Sequence, residues 1–344
     1  MGLKTCTSPL SDAYDLAMLD LDGVVYIGGS AVPGAAGSIA RARDAGMRVA
    51  FVTNNAARPP QQVAEHLREL KIAVEAHDVV TSAQAAASVL LKRFGAGARI
   101  ATLGAEGLVE ALGDAGLEVV AVDAEADAAV TGYGPDVRWR DIMRLATRIR
   151  GGLPWVATNT DGSIPTPYGE APGHGVLVET IARFSGVAPV VAGKPAPPLL
   201  EETIQRVGGE RPLMVGDRLD TDIEGGRAVG VDTLLVMTGV TGLAELLAAT
   251  PQTRPSYVAA DLGGLRETHR APEVVAGEVR AGGWAATVND GVLAVAGDGS
   301  ASEWWRVVAV AGWRHLDSVG DPVDATGVVA PTSSQPSESG NLPA

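Results

Sequence analysis

A chain of 344 residues has room for two or three cores, and its 46% apolar content suffices to fill them. No charge-free run approaches the roughly 20 apolar residues that cross a bilayer, and a formal net charge of −14 disfavours nonspecific attraction to nucleic acid or an anionic membrane. A single cysteine, Cys6, excludes an internal disulfide and a cysteine metal cluster, and five scattered histidines leave hard oxygen donors as the available metal ligands.

The leading segment carries no apolar stretch of the kind secretion requires, so a cytoplasmic protein is expected. From there the chain alternates. Leu16–Asp20 reads as a strand, Ala35–Ala45 as a helix and Arg48–Thr53 as a second strand, a rhythm that predicts a Rossmann-like parallel sheet. The pattern resumes with strands at Val190–Ala192, Leu213–Val215 and Leu234–Met237, separated by helices at Pro198–Val207 and Asp222–Val229. Between these halves, strand candidates at Arg99–Leu103, Glu118–Ala121, Ala128–Thr131 and Trp155–Thr158 predict an inserted α/β domain. The expected division is therefore a core of residues 1–82 and 189–269 and an insert of 83–188.

Beyond residue 270, Trp284, Trp304, Trp305 and Trp313 fall among glycine-flanked runs that read as strands. A small α+β module is expected over 270–330. Gly297-Asp298-Gly299 leaves open an acetyltransferase-like fragment with a pyrophosphate loop; the other reading is a structural or homo-oligomerisation role, with the tryptophans as core or interface anchors. Residues 331–344 have almost nothing to bury and are expected to form a disordered tail.

Four segments carry candidate chemistry. Asp20-Leu21-Asp22-Gly23 places two carboxylates directly after a buried strand. Such a pair is tolerated when a cation lies near it or one member holds a proton, and phosphoryl transfer uses both arrangements. A solvated loop is the alternative; a calcium loop would need a glutamate at its twelfth position, which is absent. Thr53-Asn54-Asn55, followed by Arg58, collects donors at the end of a second strand, suited either to phosphate oxygens or to an Asx-turn and helix cap. Lys194, in Gly193-Lys194-Pro195, is one of only four lysines against 23 arginines. A compact ammonium reaches a carboxylate and a phosphate oxygen together where a guanidinium does not fit. Gly216-Asp217-Arg218-Leu219-Asp220-Thr221-Asp222 then supplies three more carboxylates: Asp217 is placed for a Mg²⁺ site, Asp222 supports it from behind, and Asp220 is read as a helix cap.

All four segments fall at the ends of strands assigned to one parallel sheet, where such folds bind ligands. At this point the chain resembles the haloacid-dehalogenase superfamily, its motifs matched in order by Asp20 and Asp22, Thr53, Lys194 and Asp217. The signatures DLDGVVY, FVTNNAARPP, GKP and VGDRLDTDI are similar to the branch of phosphoglycolate, glycerol-3-phosphate, p-nitrophenyl-phosphate, pyridoxal-phosphate and nucleotide phosphatases. The resemblance implies that residues 83–188 are a cap, that Asp20 is the nucleophile, and that Asp22 is the general acid and base. It also implies Mg²⁺ held by the carboxylates of Asp20 and Asp217 and the carbonyl of Asp22, with Thr53, Asn54, Asn55, Arg58 and Lys194 around the phosphate. In the cap, Asn159 and Ile164 of the segment 158–165, together with His174, are the candidates for substrate contact; helix capping is the other reading of His174.

Asp22 and Asp217 favour phosphate over halide, and ion-pumping relatives would need membrane spans. With no aromatic shelf at 162–165, a small aliphatic phosphate ester is expected, glycerol 3-phosphate or phosphoglycolate, against nucleotides or pyridoxal phosphate. The rival from another class is a noncatalytic phosphometabolite-binding protein.

Overall fold

The structure, a computed structural model, describes residues 2–166 and 169–331. Its centre is a six-stranded parallel sheet in the order Tyr257–Ala259, Asp232–Val236, Pro212–Gly216, Leu16–Leu19, Arg48–Thr53, Val79–Thr81. These strands read as nearly continuous apolar runs because both faces are covered. Ala17 and Leu19 pack into one layer, and Leu16 and Met18 into the opposite one, as the two-residue side-chain period of a strand requires. The first strand in sequence is central, flanked by Arg48–Thr53 and Pro212–Gly216. Strand order reverses around it, which opens a crevice at the C-terminal ends of these three strands.

A second parallel sheet belongs to the insert, in the order Val190–Val191, Trp155–Ala157, Ala128–Thr131, Arg99–Leu103, Glu118–Val120. This corrects one expectation. Val190–Val191 pairs with Val156 and Ala157 rather than with the central sheet, so a boundary at residue 188 cuts a strand from its own sheet. The helix Ser82–Phe94 lies between the sheets and buries its alanines in the layer they share, capped at Thr81 by a reciprocal pair of hydrogen bonds with Gln84. An antiparallel hairpin, Ser163–Thr166 with Gly169–Pro172, projects from the insert.

The C-terminal module differs most from expectation. Glu273–Val275, Glu278–Ala281, Trp284–Asn289 and Val292–Gly297 form an antiparallel sheet, but Trp304, Trp305 and Trp313 sit on a helix, Ala301–Val319, not on strands. One face of that helix (Trp304, Val307, Val308, Ala311) covers this sheet; Ala309 and Trp313 pack against Leu235, Leu246 and Val258 of the core. Arg254 adds a bidentate pair to Asp317 at 2.7 and 2.8 Å and lies over the Trp313 ring. The pyrophosphate loop is not formed at Gly297–Gly299. The helix start beside it is closed by a Ser300–Glu303 capping box, which uses the free amides and sets a carboxylate where a phosphate would go.

Of the expected tail, residues 332–344 lie outside the described residues. Among the described residues no helix is long and apolar enough to cross a membrane.

Candidate active site

The crevice at the strand ends is a cavity of about 740 Å³ between the central sheet and the insert. Asp20 follows the first strand and is anchored by its backbone N–H to the Val215 carbonyl at 2.9 Å. Thr53 closes the second, and Asp217 follows the strand Pro212–Gly216. Lys194 arrives from elsewhere. It stands three residues beyond Val190–Val191, on the segment where the chain returns from the insert, so three of the four motifs end strands of the central sheet and the fourth ends a strand of the second.

Lys194 is buried and its ammonium bridges two carboxylates, Asp20 Oδ1 at 2.6 Å and Asp222 Oδ1 at 2.7 Å. Burial alone would lower its pKa, but the two carboxylates outweigh burial and hold it above the ordinary lysine range. Asp222 has no oxygen left, because Oδ2 accepts the Arg218 backbone N–H at 3.1 Å. It lies behind the cavity as an anchor for Lys194. Asp20 lines the cavity, and its pKa is raised by burial against the opposing pull of Lys194.

Asp217 has a different position. Its Oδ2 accepts the Val240 N–H at 2.6 Å, while Oδ1 is buried without a partner. Burial first, and the nearby Asp20 and Asp222 next, push its pKa up to about 7. The three carboxylates of Asp20, Asp217 and Asp222 offer oxygens within 4.8 Å of one another. Against one ammonium they leave two negative charges, the amount one divalent cation cancels. An orphaned buried carboxylate oxygen beside such a cluster fits a hard cation. The backbone has made room for the Asp217 side chain: Gly23, at φ +80°, and Gly239 both run so close to it that a Cβ would stand 2.4 and 2.0 Å from its Oδ2.

Asp22 opens onto the cavity, whose walls still desolvate it enough to raise its pKa against the opposing charges of Arg58 and Lys194. Arg58 is not among the residues lining the cavity. Its guanidinium acts on Asp22 and the Tyr26 phenol. Thr53 Oγ1 accepts the Asn55 N–H at 3.1 Å, and Asn55 Oδ1 accepts the Ala57 N–H at 2.8 Å, so the Asx-turn reading of this loop describes Asn55 well.

The Asn54 side chain is fully engaged: Oδ1 accepts the Lys194 N–H at 2.8 Å, and Nδ2 donates to the Lys194 carbonyl at 3.0 Å and to Asp161 Oδ1 at 2.9 Å. It ties the strand loop to the insert and to the lysine segment and has no donor left for a substrate. Asn159 likewise donates through Nδ2 to the Asn54 carbonyl at 2.7 Å and accepts the Asp161 N–H through Oδ1. Both line the cavity, as do Ile164 and His174. His174 starts the helix His174–Ser185; its Nδ1 is 2.9 Å from the Asn159 carbonyl, and burial pushes its pKa down to about 4.

Asp220 does not cap a helix but takes Nε and Nη2 of Arg218 at 3.1 and 2.8 Å. Among the lining residues that escaped the sequence reading are Asp161, Tyr133, Glu170, Arg218 and Gly239. Asp161 and Arg218 stand inside segments already singled out. Gly239 and Tyr133 follow strand ends without any charged marker.

Comparison with known proteins agrees with this geometry. Residues 17–118 match the model of the haloacid dehalogenase-like hydrolase family, and residues 191–265 match a second model, described as HAD-hydrolase-like. The chain is 38% identical over 295 residues to the D-glycerol 3-phosphate phosphatase of Mycobacterium tuberculosis, covering 86% of this chain and 82% of that protein. It is 36% identical over 251 residues to an acid sugar phosphatase of Staphylococcus aureus, covering 72% and 95%. Among solved structures, the M. tuberculosis glycerol phosphate phosphatase in complex with magnesium superposes with a TM-score of 0.81 at 38% identity, covering 89% of this chain and 92% of that one. A 4-nitrophenylphosphatase from Thermotoga maritima superposes with a TM-score of 0.69 at 32% identity over 75% and 98%.

Proposed function

We propose that this chain, which belongs to the haloacid dehalogenase-like hydrolases, is a magnesium-dependent phosphatase of small phosphate monoesters, with glycerol 3-phosphate as its preferred substrate. One observation carries the reading: Asp20, pinned through Oδ1 by Lys194, faces the cavity beside the unpartnered Oδ1 of Asp217. The phosphatases among its relatives support the substrate class, and the magnesium complex of one of them supports the cation.

In this mechanism Asp20 Oδ2 attacks phosphorus in line, the bond to the substrate oxygen breaks, and Asp22 gives its proton to the departing alkoxide. An aspartyl-phosphate remains. Asp22 then takes a proton from water as that water attacks phosphorus, the Asp20–phosphorus bond breaks, and inorganic phosphate leaves. The raised pKa of Asp22 suits a group that must hold and then accept a proton. Lys194 and the Thr53 hydroxyl cover the phosphoryl oxygens. The carboxylates of Asp20 and Asp217, with the Asp22 carbonyl, would hold Mg²⁺, which when bound neutralises charge on the transferred group.

We place the protein in the cytoplasm on its one-cysteine composition, to be tested by cell fractionation. A homo-oligomer is supported by exposed Trp139, Met143 and Phe184 on the insert's outer helices, to be tested by light scattering.

Phosphate release is to be measured from glycerol 3-phosphate, phosphoglycolate, a nucleotide and pyridoxal phosphate, with and without EDTA and with Asp20→Asn. Loss of activity in the chelated and mutant samples is expected. Equal release in either sample overturns the mechanism, and preference for the ring-bearing esters overturns the substrate.

A further inference from the structure

We propose that the insert-side wall of the cavity favours leaving groups that carry hydroxyls and rejects those that carry a carboxylate, and that Asp161 sets this preference; the inference rests on the phosphatase reading above.

Asp161 is a fixed acceptor. Its backbone N–H is held by Asn159 Oδ1 at 3.1 Å and its Oδ1 by Asn54 Nδ2 at 2.9 Å. Among the described residues no hydrogen bond occupies Oδ2, and the residue lines the cavity. Glu170, on the hairpin strand Gly169–Pro172, lines the same wall and adds a second carboxylate. His174 extends the pattern: the Asn159 carbonyl 2.9 Å from Nδ1 requires the proton there, which leaves Nε2 with a lone pair and no partner.

The cations that face this wall act on Asp161 through their charge but spend their hydrogen bonds elsewhere. Among the described residues lining the cavity they are Lys194 and Arg218. Lys194 is committed to Asp20 and Asp222, and Arg218 to Asp220 through Nε and Nη2. A hydroxyl on the leaving group can donate to these acceptors. A carboxylate offers only lone pairs and a second negative charge, and the burial that already raises the Asp161 pKa makes that charge costlier. Between the two small esters expected from the sequence, glycerol 3-phosphate fits the wall and phosphoglycolate does not.

The test compares kcat/KM for glycerol 3-phosphate, phosphoglycolate and n-propyl phosphate, which has neither group, in the wild type, Asp161→Asn and Glu170→Gln. The expected wild-type order is glycerol 3-phosphate, propyl phosphate, phosphoglycolate. Asp161→Asn should raise phosphoglycolate relative to propyl phosphate by about tenfold or more, the scale of one like-charge contact removed, and lower glycerol 3-phosphate relative to propyl phosphate. Glu170→Gln, at an exposed position where folding is not at stake, should shift the phosphoglycolate ratio in the same direction. Unchanged ratios in the variants, or a wild type that prefers phosphoglycolate to propyl phosphate, overturn the proposal. If propyl phosphate is hydrolysed and the ratios do not move, the selectivity inference alone falls; if none of the three is hydrolysed, the phosphatase reading falls with it.

Discussion

Asn54 and Lys194 hold each other by two hydrogen bonds across 140 residues of sequence, the Asn54 Oδ1 accepting the lysine N–H at 2.8 Å and its Nδ2 donating to the lysine carbonyl at 3.0 Å. The side chain that stands where a phosphate ligand is expected thus serves to place the lysine backbone. Lys194 can then reach Asp20 and Asp222 together.

Asn54→Ala leaves a buried backbone donor and acceptor of Lys194 without partners. It should cost about 3 kcal/mol of stability and lower kcat more than it raises KM. Urea unfolding and steady-state kinetics check both; a raised KM with unchanged kcat would instead mark Asn54 as a substrate contact.

Magnesium should raise the unfolding temperature of the wild type, because a cation that binds only the folded chain stabilises it by mass action. Asp217→Asn removes a carboxylate whose buried Oδ1 has no partner, so its unfolding temperature should no longer respond to Mg²⁺. Without metal the variant should be at least as stable as the wild type, since it relieves the crowding that pushes the Asp217 pKa up to about 7. Thermal scans across a magnesium series decide it.

His269 gives a pH dependence separate from catalysis. Burial first, then the Arg306 charge, push its pKa down to about 4, and its Nε2 lies 2.8 Å from the Gly264 carbonyl. The unfolded chain therefore binds a proton near pH 6.5 that the folded chain refuses until about pH 4, so stability present above 6.5 is lost as pH falls through that window. Between pH 8 and pH 5 the loss from this residue is about 2 kcal/mol. His269→Gln lacks it, so denaturation at both pH values should show the difference between variant and wild type closing by about that amount at pH 5.

Trp313 donates its Nε1–H to the Leu246 carbonyl at 2.7 Å and is buried against the core. Trp313→Ala should cost about 3–5 kcal/mol while unfolding still follows one transition by calorimetry. Two separated transitions would show that the C-terminal module folds on its own.

What could be read from the amino acids depended on whether a function needed a conspicuous residue. Asp20, Thr53 and Asp217 each follow an apolar strand, and a charged or hydroxyl group there is easily recognised. The strand leading to Lys194 has only two residues, and two apolar residues do not say which sheet they join. The helix Ala301–Val319 buries Trp304, Val307, Val308 and Ala311 on one side and Ala309 and Trp313 on another, so its middle, 304–313, is apolar but for Arg306 and Gly312 and imitates a buried strand. Gly23 and Gly239 matter for what they lack, room being their contribution to Asp217. Asn54 looked like a ligand because its chemistry suits phosphate; only the fold brings Lys194 and Asp161 to it first.

The chain reaches Lys194 three residues after leaving the edge strand of the insert's sheet. Three residues span at most about 11 Å, so a displacement of that edge has little slack in which to dissipate before it reaches the nucleophile's partner. An effort to retarget the enzyme by grafting a foreign insert would therefore do best to leave Val190 through Pro195 and their pairing with Val156 and Ala157 untouched, and to draw its diversity from the hairpin at 163–172.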